Sequence, residues 1–198
     1  MTKIAVVIGS TREERQTDKL AKWVADEVGR HAEVELLDLR DYPMPFYNEP
    51  GSARYMPERN PGPEITKWLN KLKKFDGFVF VTAEYNRSMP AVLKNAIDVV
   101  GHEIDDRPVA LVGHGSSGGA QAIANLRMAL PGIGAITVPQ ALFFTDRVGD
   151  AIDEAGVLKE ELRDNPYGPQ ASLAVQAEKL VWYAEVLSRA NTRELQVA

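Results

Sequence analysis

The sequence predicts one α/β domain over residues 1–198, in which helices cover both faces of a five-stranded, doubly wound parallel sheet. Short, continuously apolar runs alternate with amphipathic stretches, which is the order expected when surface helices connect the strands of a buried parallel sheet. The length suits a single domain. Apolar residues make up 44% of the chain and charged residues 26%, so the chain can bury a sizeable core.

Five apolar runs predict the strands. They are Ile4–Ile8, Val34–Leu39, Phe78–Val81, Val109–Val112 and a fifth strand within Ile136–Phe144. Pro139 interrupts the fifth run, because proline has no N–H to give to a sheet. Five strands fit the order 2-1-3-4-5 of the flavodoxin-like class better than a six-stranded dinucleotide fold.

Apolar residues at helical spacing predict the helices. The clearest are around Leu20–Val28, Leu93–Val100, Ala122–Leu130 and Leu173–Leu187. Thr17 or Asp18 is the expected N-cap of the first helix, and Ser88 that of the second, with Pro90 in its first turn.

Two connections, Arg40–Pro63 and Asp146–Pro169, are long for a compact domain. Loops of this length are usually functional or mobile. Arg54 and Arg59 in the first of them are candidates for the phosphates of a nicotinamide cofactor, although a solvated loop surface is the favoured interpretation.

Composition excludes several classes of function. The chain has no cysteine, which rules out disulfides, iron–sulfur clusters, thiolate zinc sites and cysteine nucleophiles. A net charge of −5 argues against general nucleic-acid binding. The first apolar run is too short for a signal peptide or a membrane span, so we expect a cytoplasmic protein without a membrane partner. The three histidines are far apart in sequence and predict no metal site.

Ligands in an open parallel sheet bind beyond the carboxyl ends of the strands. The loop after the first strand, Gly9–Thr17, carries hydroxyl groups, Arg12 and Arg15 at a helix N-terminus, a combination that favours an anion such as a monophosphate. It lacks the glycines of a Rossmann fingerprint and the ending of a Walker A loop. An ordinary polar turn that caps its helix is the alternative interpretation.

The loops after the third and fourth strands are equally distinctive. In Ala83–Pro90, Tyr85 can form a wall for a flat heterocycle, and Asn86 can bond to it or hold a turn. The alternative is a turn with a solvent-facing tyrosine. Gly113–Gly119 has four glycines in seven residues, which lets the backbone approach a ligand closely, although a flexible surface loop is also possible.

Together these loops resemble the NADPH-dependent FMN reductase family, which includes quinone, azo-dye and chromate reductases. Gly9–Arg12 resembles the family's phosphate loop, and Glu84–Asp98 resembles its long signature from the glutamate to the aspartate. The glycine-rich loop and the pair Leu126–Arg127 resemble its third motif. The resemblance covers about residues 3–130. Ala83 stands where proline is common, and His114 stands where a small residue is common.

The resemblance implies a role for each matched residue. The FMN phosphate would be held by Ser10, Arg12, Arg15, Gln16 and Thr17. The isoalloxazine ring would be framed by Glu84, Tyr85 and Asn86, with His114, Gly115 and Ser116 along its pyrimidine side. NADPH or NADH would be the electron donor. Apart from the resemblance, the position of Arg87 beside the predicted ring makes it a better candidate than Arg54 or Arg59 for binding the phosphates of that donor.

The implied activity is an NAD(P)H oxidoreductase that passes two electrons, by a ping-pong mechanism, to a quinone, a free flavin or another small acceptor. The flavin carries the chemistry, so no side chain is assigned as a catalytic acid or base. A flavodoxin-type electron carrier is the main alternative, and a binding protein without turnover is another. The resemblance also implies a homodimer or homotetramer, with the helices around Leu93–Val100 and Gln121–Leu130 as candidate contacts.

Overall fold

A computed structural model describes residues 1–56 and 58–192. Its five strands are β1 (Lys3–Ile8), β2 (Glu33–Asp38), β3 (Gly77–Ala83), β4 (Pro108–His114) and β5 (Ile136–Phe144). They form one sheet in the order β2-β1-β3-β4-β5, and all four strand pairs are parallel. The predicted flavodoxin-like topology is therefore confirmed.

Helices cover both faces of the sheet. They are α1 (Thr17–Gly29), α2 (Pro63–Leu72), α3 (Ala91–Asp98), α4 (Ala120–Ala129), α5 (Val148–Ala151), α6 (Glu160–Arg163) and α7 (Pro169–Thr192). The core under α2, α3 and α4 is separate from the core under α1, α5 and α7, because alternate strand side chains point to opposite faces. Within the described ranges, no helix is long and apolar enough to cross a bilayer.

Both predicted helix caps are wrong. The residue before α1 is Gln16, and Thr17 is already helical, with its hydroxyl near His114 instead of the helix backbone. The cap position of α3 is Pro90 itself. Ser88 exchanges backbone hydrogen bonds with Tyr85 and so belongs to the preceding turn.

Side-chain contacts and short helices join the two long connections to the rest of the domain. In the first, the side chain of Arg59 is 9% exposed and donates to Glu49 at 2.9 Å, while Arg54 donates to Asp105 at 2.6 Å and to the Gly101 carbonyl at 2.8 Å. The expectation of a solvated surface is therefore wrong for Arg59, which fastens the loop to the body of the protein. The second connection folds into α5 and α6.

Pro139 disturbs β5 without ending it. The register with β4 shifts between Val109 and Leu111, because the ladder resumes only at Ala141. The buried Gln176 of α7 donates to the Leu111 carbonyl at 2.9 Å and to the Gln140 carbonyl at 3.1 Å. These bonds supply donors where the irregular ladder does not.

Candidate functional site

The loops after β1, β3 and β4 meet at the carboxyl edge of the sheet. Ile8 pairs with Val81 in the register of β1 and β3. Gly9 continues this ladder, donating its N–H to the Val81 carbonyl at 2.8 Å. A Cβ at Gly9 would lie 2.7 Å from that oxygen, so only glycine allows this approach.

Ser10 and Tyr85 connect the first loop to the second. The Ser10 hydroxyl is buried and lies 2.7 Å from the Tyr85 hydroxyl. The guanidinium of Arg12 stands 5.7 Å from the centre of the Tyr85 ring, within cation–π range. Arg12 is itself exposed, so its charge is available to an anion at the loop.

Arg15 is turned away from the loop surface. Its guanidinium forms a two-point ion pair with Asp38 at the end of β2 and also donates to the Ser10 carbonyl at 2.6 Å. Only 5% of its side chain is exposed. Arg40 supports the same loop by donating to the carbonyls of Thr11 and Arg12. Arg15 shapes the loop in this arrangement, and its role as a direct phosphate ligand stays a prediction.

The pair changes the acidity of Asp38. Burial alone would raise the pKa of the carboxyl, but hydrogen bonds from Arg15 and from the Arg40 backbone N–H outweigh it, so the pKa is lowered. The same pair raises the pKa of Arg15. Both groups are therefore charged at neutral pH, and the loop is anchored by an ion pair.

The second loop closes in a tight turn. Tyr85 and Ser88 exchange backbone hydrogen bonds of 2.8 and 3.0 Å across Asn86 and Arg87. These two central residues have φ angles of +49° and +64°. Asparagine tolerates this region well, whereas arginine does so at a conformational cost. The Asn125 amide of α4 donates to the Arg87 carbonyl at 3.0 Å and holds the turn in place.

Glu84 connects the second loop to the glycine-rich loop. Its carboxylate accepts hydrogen bonds from the Ser117 hydroxyl at 3.1 Å and from the Gln121 N–H, in the first turn of α4, at 2.9 Å. A carboxylate at a helix N-terminus satisfies a free N–H and interacts well with the helix dipole. Gly118 and Gly119, with φ angles of +65° and +77°, complete the entry to α4.

His114 and Thr17 connect the glycine-rich loop to α1. His114 is the last residue of β4, and its Nε2 lies 2.9 Å from the hydroxyl oxygen of the fully buried Thr17. Burial lowers the pKa of His114 to about 4. The imidazole is therefore neutral at physiological pH.

A cavity of about 860 Å³ opens beside these contacts. Four of the predicted residues line it, namely Gln16, His114, Gly115 and Ser116. Lys19 and the segment 145–150, which follows β5, form the rest of its wall. Ser10, Arg12, Tyr85 and Asn86 lie on the neighbouring loops and not in the wall of this cavity.

The segment 145–150 was not predicted as part of the site. It has no glycine-rich or phosphate-binding pattern, and the unusual length of the connection was the only signal that the sequence offered. In the same part of the chain, Gly149 packs against Gln16, since a Cβ there would lie 2.9 Å from the side-chain oxygen. Among the residues that the structure describes, no group forms a hydrogen bond with that buried oxygen.

Across residues 1–56 and 58–192, no group of three or more histidine, cysteine, aspartate or glutamate side chains is placed to bind a metal ion. The hydroxyl, amide and guanidinium groups at the site are suited instead to an organic anion.

Comparison with known proteins agrees with the geometry. The chain is 30% identical over 184 residues to an NAD(P)H-dependent FMN reductase of Schizosaccharomyces pombe, covering 83% of this chain and 92% of that one. It is 35% identical over 96 residues to a quinone reductase of Pseudomonas putida, covering 48% of each chain. The fold is similar to that of FerB, a flavoenzyme NAD(P)H:(acceptor) oxidoreductase of Paracoccus denitrificans, with a TM-score of 0.74, 24% identity and coverage of 94% and 98%. The profile of one family matches residues 2–150, so the chain belongs to the NADPH-dependent FMN reductase family.

Proposed function

We propose that the protein is an FMN-dependent NAD(P)H oxidoreductase that passes two electrons by a ping-pong mechanism to a quinone, a free flavin or another small acceptor. The observation that carries the proposal is the joining of the three motif-bearing loops by side-chain contacts at one edge of the sheet. Family membership supports the same activity.

The residues of the first loop fit the phosphate of FMN. The loop leads into α1, where free N–H groups and the helix dipole favour an anion. Arg12 adds an exposed positive charge. The ion pair of Arg15 with Asp38 fixes the loop before the ligand arrives, which reduces the entropy lost on binding.

The cavity fits the rest of the cofactor in size and chemistry. Its volume of about 860 Å³ is within the range of small-molecule sites. Gln16, Ser116 and Thr145 in its wall offer polar groups to the hydroxyls of the ribityl chain. Tyr85 and the glycine-rich loop supply an aromatic wall and backbone donors at the adjoining loops.

Bound FMN would supply the redox chemistry by accepting two electrons from NAD(P)H and giving them to an acceptor that takes the place of the nicotinamide. The residues of this chain bind the cofactor and hold the loops that orient it. Glu84 holds the second loop against α4, and Ser10 holds it against the first loop. We assign no side chain as a catalytic acid or base.

We also propose that the protein works in the cytoplasm as a homodimer or homotetramer. The apolar stripes of α3 and α4 are buried against their own sheet, so a contact between subunits must use other side chains. Met128 of α4 is 72% exposed and Phe143 of β5 is 47% exposed, and both are suited to such a contact. Sedimentation velocity at micromolar concentration tests this, and a monomer would contradict it.

The deciding experiment is an absorbance spectrum of the purified protein, with and without added FMN, followed by anaerobic addition of NADPH. Flavin bands near ~450 nm that are lost on addition of NADPH support the reductase. Bands that persist would indicate the flavodoxin-type carrier instead. Failure to take up FMN would overturn the cofactor assignment.

A further inference from the structure

The contact between Thr17 and His114 constrains where the imidazole proton lies. A neutral imidazole has one N–H, on Nδ1 or on Nε2, and the group that the other nitrogen meets decides between them. His114 is neutral at physiological pH because its burial lowers its pKa to about 4. Its Nε2 lies 2.9 Å from the Thr17 hydroxyl oxygen.

The burial of the Thr17 hydroxyl favours Thr17 as the donor of this hydrogen bond. Its side chain is fully buried, and among the residues that the structure describes His114 is the one partner of its hydroxyl. If Nε2 carried the proton, the threonine hydrogen would be buried without an acceptor, which costs about 1–3 kcal/mol. Donation from Thr17 to Nε2 avoids this cost and leaves the proton on Nδ1.

The Nδ1–H is then available to a ligand. Within the described ranges no protein group hydrogen-bonds Nδ1, and the ring lines the cavity of about 860 Å³. We propose that His114 is a neutral hydrogen-bond donor, held as the Nδ1–H tautomer by Thr17, that binds an oxygen or nitrogen acceptor of the FMN ring. The assignment of the acceptor to FMN rests on the proposed function, whereas the tautomer does not.

This role explains how a histidine can occupy the site. A charged imidazolium would act as a point charge on the ligand, whereas a neutral Nδ1–H offers one directed bond. Lys19, Asp146, Arg147 and Asp150 line the same cavity, so charges of both signs are already present. With its hydroxyl committed to His114, Thr17 can meet a phosphate only through its backbone N–H.

The tautomer can be read directly by ¹⁵N NMR of the full chain without FMN, since protonated and bare imidazole nitrogens differ strongly in chemical shift. The chain has three histidines, and single replacements assign their signals. We expect Nδ1 of His114 to be the protonated nitrogen, and Thr17→Val to shift the population toward Nε2–H. A wild-type ring protonated on Nε2 would overturn the proposal.

Two matched variants test the donor. The amide nitrogen of asparagine lies as many bonds from Cα as Nδ1 does, and that of glutamine as many as Nε2. We expect His114→Gln to raise the FMN dissociation constant about 3- to 10-fold, the value of one hydrogen bond, and His114→Asn to raise it less. Equal weakening by both variants would overturn the donor role.

The proposed function and the proposed tautomer of His114 can be disproved separately. If the wild type keeps Nδ1–H but does not bind added FMN, the proposed function is wrong, and the assignment of the donor to FMN is wrong with it. If FMN binds while the ring carries its proton on Nε2, the proposed function stands and the role of His114 is wrong.

Discussion

Arg15 and Asp38 are 23 residues apart and form a two-point ion pair that joins the first loop to the end of the neighbouring strand β2. The Arg15 side chain is 5% exposed and that of Asp38 is 25% exposed. The same guanidinium donates to the carbonyl of Ser10, at the start of the loop. The loop that we propose for the phosphate is therefore held in shape by protein contacts.

Asp38→Asn should destabilise the protein and weaken FMN binding. Asparagine keeps the size of the side chain but removes the charge that Arg15 faces, and hydrogen bonds to charged groups contribute about 1.5–3 kcal/mol. We expect a loss of about 1–3 kcal/mol in the free energy of unfolding, measured by urea denaturation without FMN. Asp41→Asn, at an exposed neighbouring carboxylate, is the matched control and should have little effect.

The effect of Asp38→Asn should depend on pH. Because the pKa of Asp38 is lowered in the folded protein, its contribution is present above the unfolded pKa of about 3.9 and is lost as the pH falls through the folded value. The difference in stability between the wild type and the variant should therefore narrow below about pH 4. A constant difference down to the lowest measurable pH would contradict the ion pair.

Ser10 and Tyr85 should show coupled effects on stability. Within the described part of the chain, Tyr85→Phe leaves the buried Ser10 hydroxyl with the Arg12 N–H, 3.4 Å away, as its one remaining partner. We expect a coupling free energy of about 1 kcal/mol in a double-mutant cycle with Ser10→Ala, measured by urea denaturation of the four proteins. Additive effects would show that the hydroxyl contact contributes nothing.

Gly119→Ala should disrupt the glycine-rich loop. A Cβ at this residue would lie 2.6 Å from the backbone nitrogen of His114 and 2.7 Å from the Gly113 carbonyl carbon, and the φ angle is +77°. We expect a loss of at least about 2 kcal/mol in the free energy of unfolding, together with weaker FMN binding. Gly132→Ala is the control, because a Cβ there would have no described atom within 4 Å, and its stability should stay within about 1 kcal/mol of the wild type.

The sheet could be predicted from the sequence because its three inner strands, β1, β3 and β4, are buried on both faces and are continuous apolar runs. Ile4–Ile8 and Phe78–Val81 show this most clearly. Once the strands were predicted, the edge of the sheet that carries the site could be predicted too, since loops after parallel strands share one end of the sheet. Which side chains contact one another at that edge could not be predicted. Nothing local indicates that Arg15 faces Asp38 and not a phosphate, because that contact depends on the register of β1 with β2.

The errors at the helix caps have the same origin. Thr17 is a good N-cap residue by local propensity, but its hydroxyl lies near His114, which is 97 residues away. The segment 145–150 became part of the cavity through the position of α5 beside α1. Contacts between elements distant in the chain decided each of these features, and a single sequence carries no record of them.

The pKa values of His102 and His114 should differ widely. The hydrogen bond from His102 to Asp105, 2.7 Å long, raises the pKa of His102, whereas burial lowers the pKa of His114 to about 4. The hydrogen bond between His102 and Asp105 stabilises the folded state below the histidine pKa of the unfolded chain, about 6.5. This contribution is lost as the pH rises through the raised pKa of the folded protein. For His114 the pH dependence of stability is opposite. As the pH falls, the unfolded chain binds a proton on this histidine before the folded protein does, so the free energy of unfolding decreases below about pH 6.5.

An NMR titration of the histidine C2 protons measures both values. His102→Gln and His114→Asn assign the two signals, and His114→Asn should also remove its share of the pH dependence of stability. A His114 signal that titrates near neutrality would show that the ring is not buried in solution.

Arg87→Ala should raise the KM for NADPH and leave FMN binding unchanged. The side chain of Arg87 is exposed beside the Tyr85 turn, and its backbone lies in the left-handed region with a φ angle of +64°. An arginine kept in that conformation is a candidate for recognising a phosphate of the nicotinamide cofactor. Loss of one such contact should raise the KM by about 10-fold or more, as measured by steady-state kinetics with NADPH.

Arg87→Gly separates the guanidinium from the backbone. Glycine also removes the charge but accepts the positive φ angle without strain. Equal increases in KM for the two variants would assign the effect to the lost guanidinium, and an increase with alanine alone would assign it to the turn. An increase with NADPH but not with NADH would place Arg87 at the 2′-phosphate, because that group is the difference between the two donors. An unchanged KM in both variants would remove Arg87 from the site.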